Sequence, residues 1–250
     1  WFKAGKSVDS DEVLKPLLDE GYYEHPLMDL LLGMRALRGK RIQAAKDAFA
    51  KVIAAGHDDH DMYYALAQIA EQEGDDDTAA AMWQKAAATN PWVTNPQASP
   101  WLALARIARA AGDQEAWAGY VARYCGLNDT ALELRGELVE YHSARDEFEA
   151  ALARVDEMLL VAPLDGLHHR RRGDLLAQLG RKEAAVDAYE VALLAGVQGR
   201  EEFKARLPLG RLLIDLDRKD DASYHLERAV QLEPESKEAR GLLERAEKDD

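Results

Sequence analysis

HDMYYALAQIAEQEGDDDTAAAMWQKAAATNP, residues 60–91, decides the reading of the chain. Tyr63, Leu66, Ala67 and Ala70 fall at i, i+3, i+4 and i+7, and so do Ala79, Met82, Trp83 and Ala86. That spacing puts each set on one face of a helix. Between the two stripes stands Gly74, which takes the left-handed conformation at a helix end without steric cost, and Pro91 stops the second helix. The stretch predicts a helical hairpin that cannot bury both stripes alone. It needs neighbours of its own kind.

Those neighbours can be counted. Leu32-Gly33, Gly39, Ala45 and Phe49 precede it. Trp101, Leu104-Ala105, Gly112, Trp117 and Val121 follow, then Leu138-Val139, Ala151, Val155 and Pro163. Gly173, Gly180, Ala185, Tyr189 and Ala192 form a fifth set, and Leu209-Gly210, Ala222, Leu226, Ala229 and Pro234 a sixth. Repeats starting near 26, 60, 98, 132, 166 and 203 are spaced 34, 38, 34, 34 and 37 residues apart. The two longer intervals carry inserts where loops belong, at Pro91–Pro96 and Ala195–Gly199.

Tyr63, Leu66-Ala67, Ala79, Trp83 and Pro91 make the stretch resemble a tetratricopeptide repeat, whose period is roughly 34 residues. The resemblance spans residues 26–248. It implies an all-α fold, a right-handed α-solenoid of antiparallel helix hairpins in which each unit contacts its neighbours. Small residues (Gly33, Ala67, Ala105, Gly173, Gly210) keep the first helix thin, and Ala45, Ala79, Ala151, Ala185 and Ala222 do so from the second. Phe49, Trp83 and Tyr189 fill the gap towards the next repeat. Residues 1–25 are expected to form a partial N-terminal helical unit with a helix over Glu12–Glu20. Residues 235–250 are expected to be a capping helix and tail, with Leu242, Leu243 and Ala246 covering the last repeat. Trp117 follows Ala116 where a small residue is expected, His142 stands where an aromatic or aliphatic one is usual, and Pro208 should kink its helix or delay its start.

Composition narrows the function. Apolar residues make up 47% of the chain, enough for a sizeable core, whereas 32 basic against 46 acidic residues give a net charge of −14. A protein so acidic repels phosphate backbones, so nucleic-acid binding is disfavoured. The single cysteine, Cys125, excludes an intrachain disulfide framework and a cysteine-based zinc cluster. No apolar run reaches the roughly 18–20 residues of a membrane span. The chain opens on Trp1 rather than Met, which leads to the expectation of a fragment with an upstream domain missing. A cytoplasmic setting is expected over a periplasmic one.

Candidate chemistry is sparse. His57-Asp58-Asp59-His60-Asp61 has metal-ligand residue types, but it lies between two hairpins, where Asp and His serve as turn and N-cap residues. His168-His169-Arg170-Arg171-Arg172-Gly173-Asp174 is the densest basic run, yet on a helix it spreads around the circumference, and its Arg-Gly-Asp would need an exposed loop. Asn128-Asp129-Thr130 is a glycosylation sequon. No phosphate loop, Gly-rich dinucleotide turn, His-Glu-x-x-His or Gly-x-Ser-x-Gly is present. The sequence therefore predicts no catalytic centre and no cofactor.

The resemblance implies a concave groove lined by the first helix of each hairpin. Carried over, its positions are Leu27, Leu30, Met34 and Leu37; Tyr64, Gln68 and Glu71; Leu102, Arg106 and Arg109; Glu133 and Glu140; Arg170 and Asp174; Lys204 and Arg211. Its start is apolar, and Arg106, Arg109, Arg170, Lys204 and Arg211 thread basic charge through an acidic protein. One reading is a channel for a protein or peptide, with arginines for an acidic segment. The other is that the leucines pack on upstream sequence while the arginines pair with Glu133, Glu140 and Asp174. Tetratricopeptide proteins that hold chaperone tails use a Lys and Asn set on these helices, and no Asn stands there. Two further functions fit the chain: an accessory module of a larger enzyme such as a peptidase or transferase, and self-association through Leu27, Leu30 and Met34 or the convex side.

Overall fold

The computed structural model describes residues 25–248; the helix expected over Glu12–Glu20 lies outside them. Among the described residues there are thirteen α-helices and no strand. They are α1 (Pro26–Arg38), α2 (Ile42–Ala54), α3 (His60–Glu73), α4 (Asp76–Thr89), α5 (Pro100–Ala110), α6 (Gln114–Cys125) and α7 (Leu132–Ser143). Then come α8 (Phe148–Val161), α9 (Gly166–Gln178), α10 (Lys182–Leu194), α11 (Gly199–Asp215), α12 (Lys219–Leu232) and α13 (Lys237–Glu247). The described residues divide into two compact units, 25–120 and 121–248, with the division inside α6.

The helices start where the sequence supplies an acceptor. Asp59 accepts from the N–H of Met62, Asp75 from Thr78, Asp165 from Leu167 and Ser236 from Ala239. These are N-cap bonds to otherwise unsatisfied donors of the first turn. Helix α11 begins at Gly199 and runs through Pro208, so the proline does not delay its start.

Six hairpin turns share one geometry. A residue with positive φ (Lys40, Gly74, Gly112, Asp146, Gly180 or Asp217) precedes an N–H that reaches back five residues. The bonds run from Arg41 to Ala36 O, Asp75 to Ala70 O, Asp113 to Ala108 O, Glu147 to His142 O, Arg181 to Leu176 O and Arg218 to Leu213 O, at 2.8–2.9 Å. This is the Schellman closure of a helix. Half of these positions are not glycine. In the first turn Gly39 has φ −81°, and Lys40 takes the left-handed place.

In the first unit α1 packs on α2 and α3 on α4, and α5 packs on α4. Phe49, Val52, Met62, Tyr63, Trp83 and Leu104 form its core. In the second unit α7 pairs with α8, α9 with α10 and α11 with α12, and α13 lies on α12. Val155, Leu175, Tyr189, Leu209, Leu213 and Leu226 are central there, and Leu242 and Ala246 of α13 join the same core. Within each hairpin the crossing is very close. A Cβ at Gly173 would stand 2.7 Å from the Tyr189 ring, one at Gly210 would stand 2.5 Å from Leu226, and one at Gly33 would overlap Phe49.

The second unit also buries a charge. Arg135 on α7 is 3% exposed and donates to Cys125 O (2.5 Å), Asn128 O (2.9 Å) and Asp129 O (2.9 Å), with Nε 3.4 Å from Glu157. It clasps the loop between α6 and α7, whose carbonyls have no helix to satisfy them.

Three outcomes follow from this packing. Gly173→Ala forces the Tyr189 ring off its seat and costs about 1–3 kcal/mol by urea denaturation. Asp217→Gly relieves a left-handed non-glycine residue and raises the thermal midpoint, a gain of at most about 1 kcal/mol. Arg135→Ala leaves three carbonyls without their donor and costs about 3 kcal/mol, with accelerated hydrogen exchange in the 126–131 loop.

Candidate binding clefts on the first helices

The first unit holds a cleft of about 350 Å³ between α3, α5 and the loop before α5. Gln68 and Glu71 face it from α3, Leu102, Ala103 and Arg106 from α5, and Ser99 from the residue before α5. Ser99, Leu102, Ala103 and Arg106 are spaced i, i+3, i+4 and i+7, one face of the helix. The centre of the cleft is Glu71. Its Oε1 accepts from Trp83 Nε1 at 2.7 Å and from Arg106 Nη2 at 2.5 Å. The tryptophan that fills the hairpin crossing thus anchors the carboxylate from beneath, and the carboxylate holds the arginine above it. Gln68 Nε2 donates to Tyr64 Oη at 3.0 Å, and the Tyr64 ring meets Trp83 edge-on at 5.0 Å.

The second unit holds a larger cleft of about 530 Å³ between α7, α9 and α11, with Val139, Leu167 and Leu175 as its apolar walls. Its polar rim has three cations, Arg170, Arg171 and Lys204, and three carboxylates, Glu140, Asp174 and Glu201. Arg170 is ion-paired with Asp174, and its Nε lies 2.8 Å from Glu201 Oε2. That Nε makes no hydrogen bond, so the second contact is Coulombic. Lys204 Nζ donates to Glu201 at 2.7 Å, and Arg171 lies 3.7 Å from Glu140. Here too the aromatic residue of the crossing reaches a first-helix acid, because Tyr189 Oη donates to Asp174 at 2.8 Å. Burial pushes the Asp174 carboxyl up against the lowering effect of Arg170, while burial and the Asp174 charge both raise the Tyr189 hydroxyl. Glu201 is held below the usual carboxylate range, first by the Lys204 hydrogen bond.

The structure therefore gathers Gln68, Leu102 and Arg106 in one cleft, with Tyr64 hydrogen-bonded at its edge, and Arg170 and Lys204 in the other. The remaining positions lie apart. Arg109 stands over the Trp117 ring, 4.6 Å from its centroid, and Arg211 pairs with Glu238 of α13. Leu30, Met34 and Leu37 pack partly against the first unit's core, whereas Leu27 is 55% exposed. The basic thread is largely paired: Arg106, Arg170, Lys204 and Arg211 each have a carboxylate, and Glu71, Glu201 and Glu238 are acids that sequence reasoning did not match to them.

The other singled-out motifs have structural uses. Asp59 caps α3, Asp58 accepts from Tyr63 Oη at 2.5 Å, and His60 Nδ1 meets Ala86 O at 2.9 Å. Burial, then the Asp58 hydrogen bond and charge, raise the Tyr63 hydroxyl to about 12. Arg172-Gly173-Asp174 lies inside α9, with Gly173 beneath Tyr189 and Arg172 donating to Asp156 at 2.8 Å. Asn128 donates to Tyr124 Oη at 2.8 Å and accepts from Thr130. Cys125 is buried, which raises its thiol. Among the described residues no group of three or more His, Cys, Asp or Glu is placed to hold a metal, and no helix is long and apolar enough to cross a membrane.

A search of curated protein sequences returns no significant match. Among solved structures, the chain is similar to YrrB, described as a TPR protein with an unusual peptide-binding site, at 15% identity. The match covers 78% of this chain and 96% of that one, with a TM-score of 0.50. A chain of Naa15/Naa10 bound to HypK-THB matches with a TM-score of 0.58 and 12% identity over 88% of this chain, but this chain spans only 33% of its length. MamA matches at 18% identity over 70% of this chain and 92% of that one, with a TM-score of 0.46. At these identities the likeness is one of fold. The tetratricopeptide repeat model matches residues 30–92 and 133–200, just over half of the sequence. With its period, its hairpins and that match in agreement, the chain belongs to the tetratricopeptide repeat family.

Proposed function

We propose that this chain is a non-catalytic scaffold that holds segments of partner proteins in the clefts of its first helices. The observation that carries the reading is the anchoring of the carboxylates that face Arg106 and Arg170. In each cleft an arginine pairs with a carboxylate that is itself held by the aromatic residue of the hairpin crossing. Fixed donors and acceptors beside apolar walls suit the alternating N–H and C=O groups of an extended segment. Preorganisation also lowers the entropy lost on binding. The second cleft, with equal numbers of cations and carboxylates, selects by charge position rather than by net charge. Arg106 is the cation best placed for an acidic group. The same faces would serve a free-standing scaffold or the accessory part of a longer enzyme chain.

The test is affinity capture from native lysate with the chain as bait. Arg106→Glu combined with Lys204→Glu, both at exposed positions, places like charge against Glu71 and Glu201 and should weaken capture of the principal partner by roughly thirtyfold or more. Glu227→Lys, on the second-helix surface of α12, should leave it unchanged. Equal losses from both changes would show that the first-helix faces do not carry binding.

A further inference from the structure

The second unit holds another pocket, of about 360 Å³, between its second helices α10 and α12 and over α11. Leu193 and Leu194 of α10 and Tyr224 of α12 give it apolar and aromatic walls, and Glu190, Arg206 and His225 are its polar groups. Leu194 is 85% exposed and Tyr224 66%, so these walls face solvent. Leu160 on α8, exposed as fully as Leu194, holds the same place 34 residues earlier. Large apolar side chains left in water at matching positions mark a contact surface.

Arg206 decides the chemistry of the imidazole. Its Nε donates to Glu202 at 2.9 Å, and its Nη1 lies 2.9 Å from His225 Nδ1. A guanidinium cannot accept a hydrogen bond, so Nδ1 is the acceptor and the neutral ring carries its proton on Nε2. Burial, then the Arg206 charge, bring the pKa of the imidazole down to about 4, so the ring is neutral at pH 7. Its Nε2–H is a donor, and among the described residues nothing accepts from it. Glu190 supplies an acceptor. Its contact with Arg218 is long, at 3.9 Å, and Arg218 also pairs with Asp221 at 2.7 Å. One donor and one acceptor thus stand in the same pocket as an exposed aromatic ring. An indole or an ammonium would bring donors alone, a carboxylate or phosphate would set its charge against Glu190, and a phenyl ring would satisfy neither group. A phenol hydroxyl accepts one hydrogen bond and donates one. We propose that this pocket binds a tyrosine side chain of a partner protein, its hydroxyl accepting from His225 Nε2–H and donating to Glu190, its ring against Tyr224 and the two leucines. Contact between the two rings adds to the apolar area covered. The site does not depend on the first-helix clefts, because it is built on the other helices of the hairpins.

The experiment is titration of the isotope-labelled whole chain, followed by amide resonances and by the ring nitrogens of His225. The probes are N-acetyl-tyrosine amide, N-acetyl-phenylalanine amide and N-acetyl-O-methyltyrosine amide. The tyrosine probe should give saturable shifts at Leu194, Tyr224 and His225, with a dissociation constant in the millimolar range expected for so small a ligand. The phenylalanine probe should bind roughly tenfold more weakly, and so should the O-methyl probe, which accepts but cannot donate to Glu190. His225 should carry its proton on Nε2 in the free chain, and the tyrosine probe should move that resonance. Glu190→Ala and Tyr224→Ala, both at solvent-exposed side chains, should each weaken binding roughly fivefold. Equal affinity for the tyrosine and phenylalanine probes, a proton on Nδ1, or unchanged affinity in Glu190→Ala would each overturn the proposal. Shifts at these residues that grow with protein concentration and need no probe would assign the pocket to a second copy of the chain and overturn it as well. Probe shifts confined to Val139, Leu167 and Arg171 would remove this site while leaving the scaffold reading intact.

Discussion

Everything in this chain depends on how closely two helices can cross. A first-helix residue and a second-helix residue sixteen positions later share one space, and only one of them can be large. Gly33 lies under Phe49, Gly173 under Tyr189 and Gly210 under Leu226, with no room for a methyl group at any of them. Ala67 and Trp83, both buried, stand in the same relation. The large member fills the gap that the small one opens, and interiors tolerate neither a void nor an overlap there. This pair fixes the distance between the helices of a hairpin, and so the angle at which the first helix presents its other face.

The crossing does more than pack. Trp83 and Tyr189 are not purely apolar, and each carries a donor at the far end of its ring. Buried aromatic residues of this kind seek an acceptor. Trp83 finds it in Glu71 and Tyr189 in Asp174, both on the cleft-lining side of a first helix. Those acids then orient Arg106 and Arg170. Packing, polar satisfaction and the geometry of the candidate sites are therefore one chain of causes. A tryptophan or tyrosine at the crossing sets up a charged pair over the cleft, which Phe49 or Leu226 cannot do.

Much of this was legible in the sequence because it is periodic. Apolar stripes, small residues at crossings and left-handed turns recur at the repeat spacing, so each is read several times over. What was not legible is local in space and remote in sequence. Lys40, Asp146 and Asp217 take left-handed turns that composition assigns to glycine, because the helix-ending hydrogen bond demands that conformation whatever the residue. Arg135 reads as one more surface arginine until the end of α6 is seen to offer it one carbonyl and the 126–131 loop two. The arginine thread was readable, but its partners were not. Glu71 lies 35 residues from Arg106, and only the packing of α5 on α4 brings α5 close enough for them to meet. Ser99 looks like an ordinary helix cap, and only in three dimensions is its hydroxyl seen to make no capping bond.

The two clefts share an architecture but not an energetic state. Arg170 has only 14% of its side chain exposed, lies between Asp174 and Glu201, and rests on a carboxyl that burial disfavours as an anion. Withdrawing it would take a mostly buried cation away from two carboxylates at once, of which Asp174 would keep only the Tyr189 donor. Arg106 is in the opposite position. Its side chain is 62% exposed although that of Glu71 is not, and contacts made by so solvated a cation contribute about 0–1 kcal/mol. Glu71 also keeps the Trp83 donor when the arginine turns away. Arg106 can therefore redirect a donor to a ligand at little cost, whereas Arg170 is committed to the fold. The same pairing of aromatic, acid and arginine thus yields a rigid wall in one unit and a recruitable cation in the other, and the burial of the arginine, with the second carboxylate beside Arg170, makes the difference.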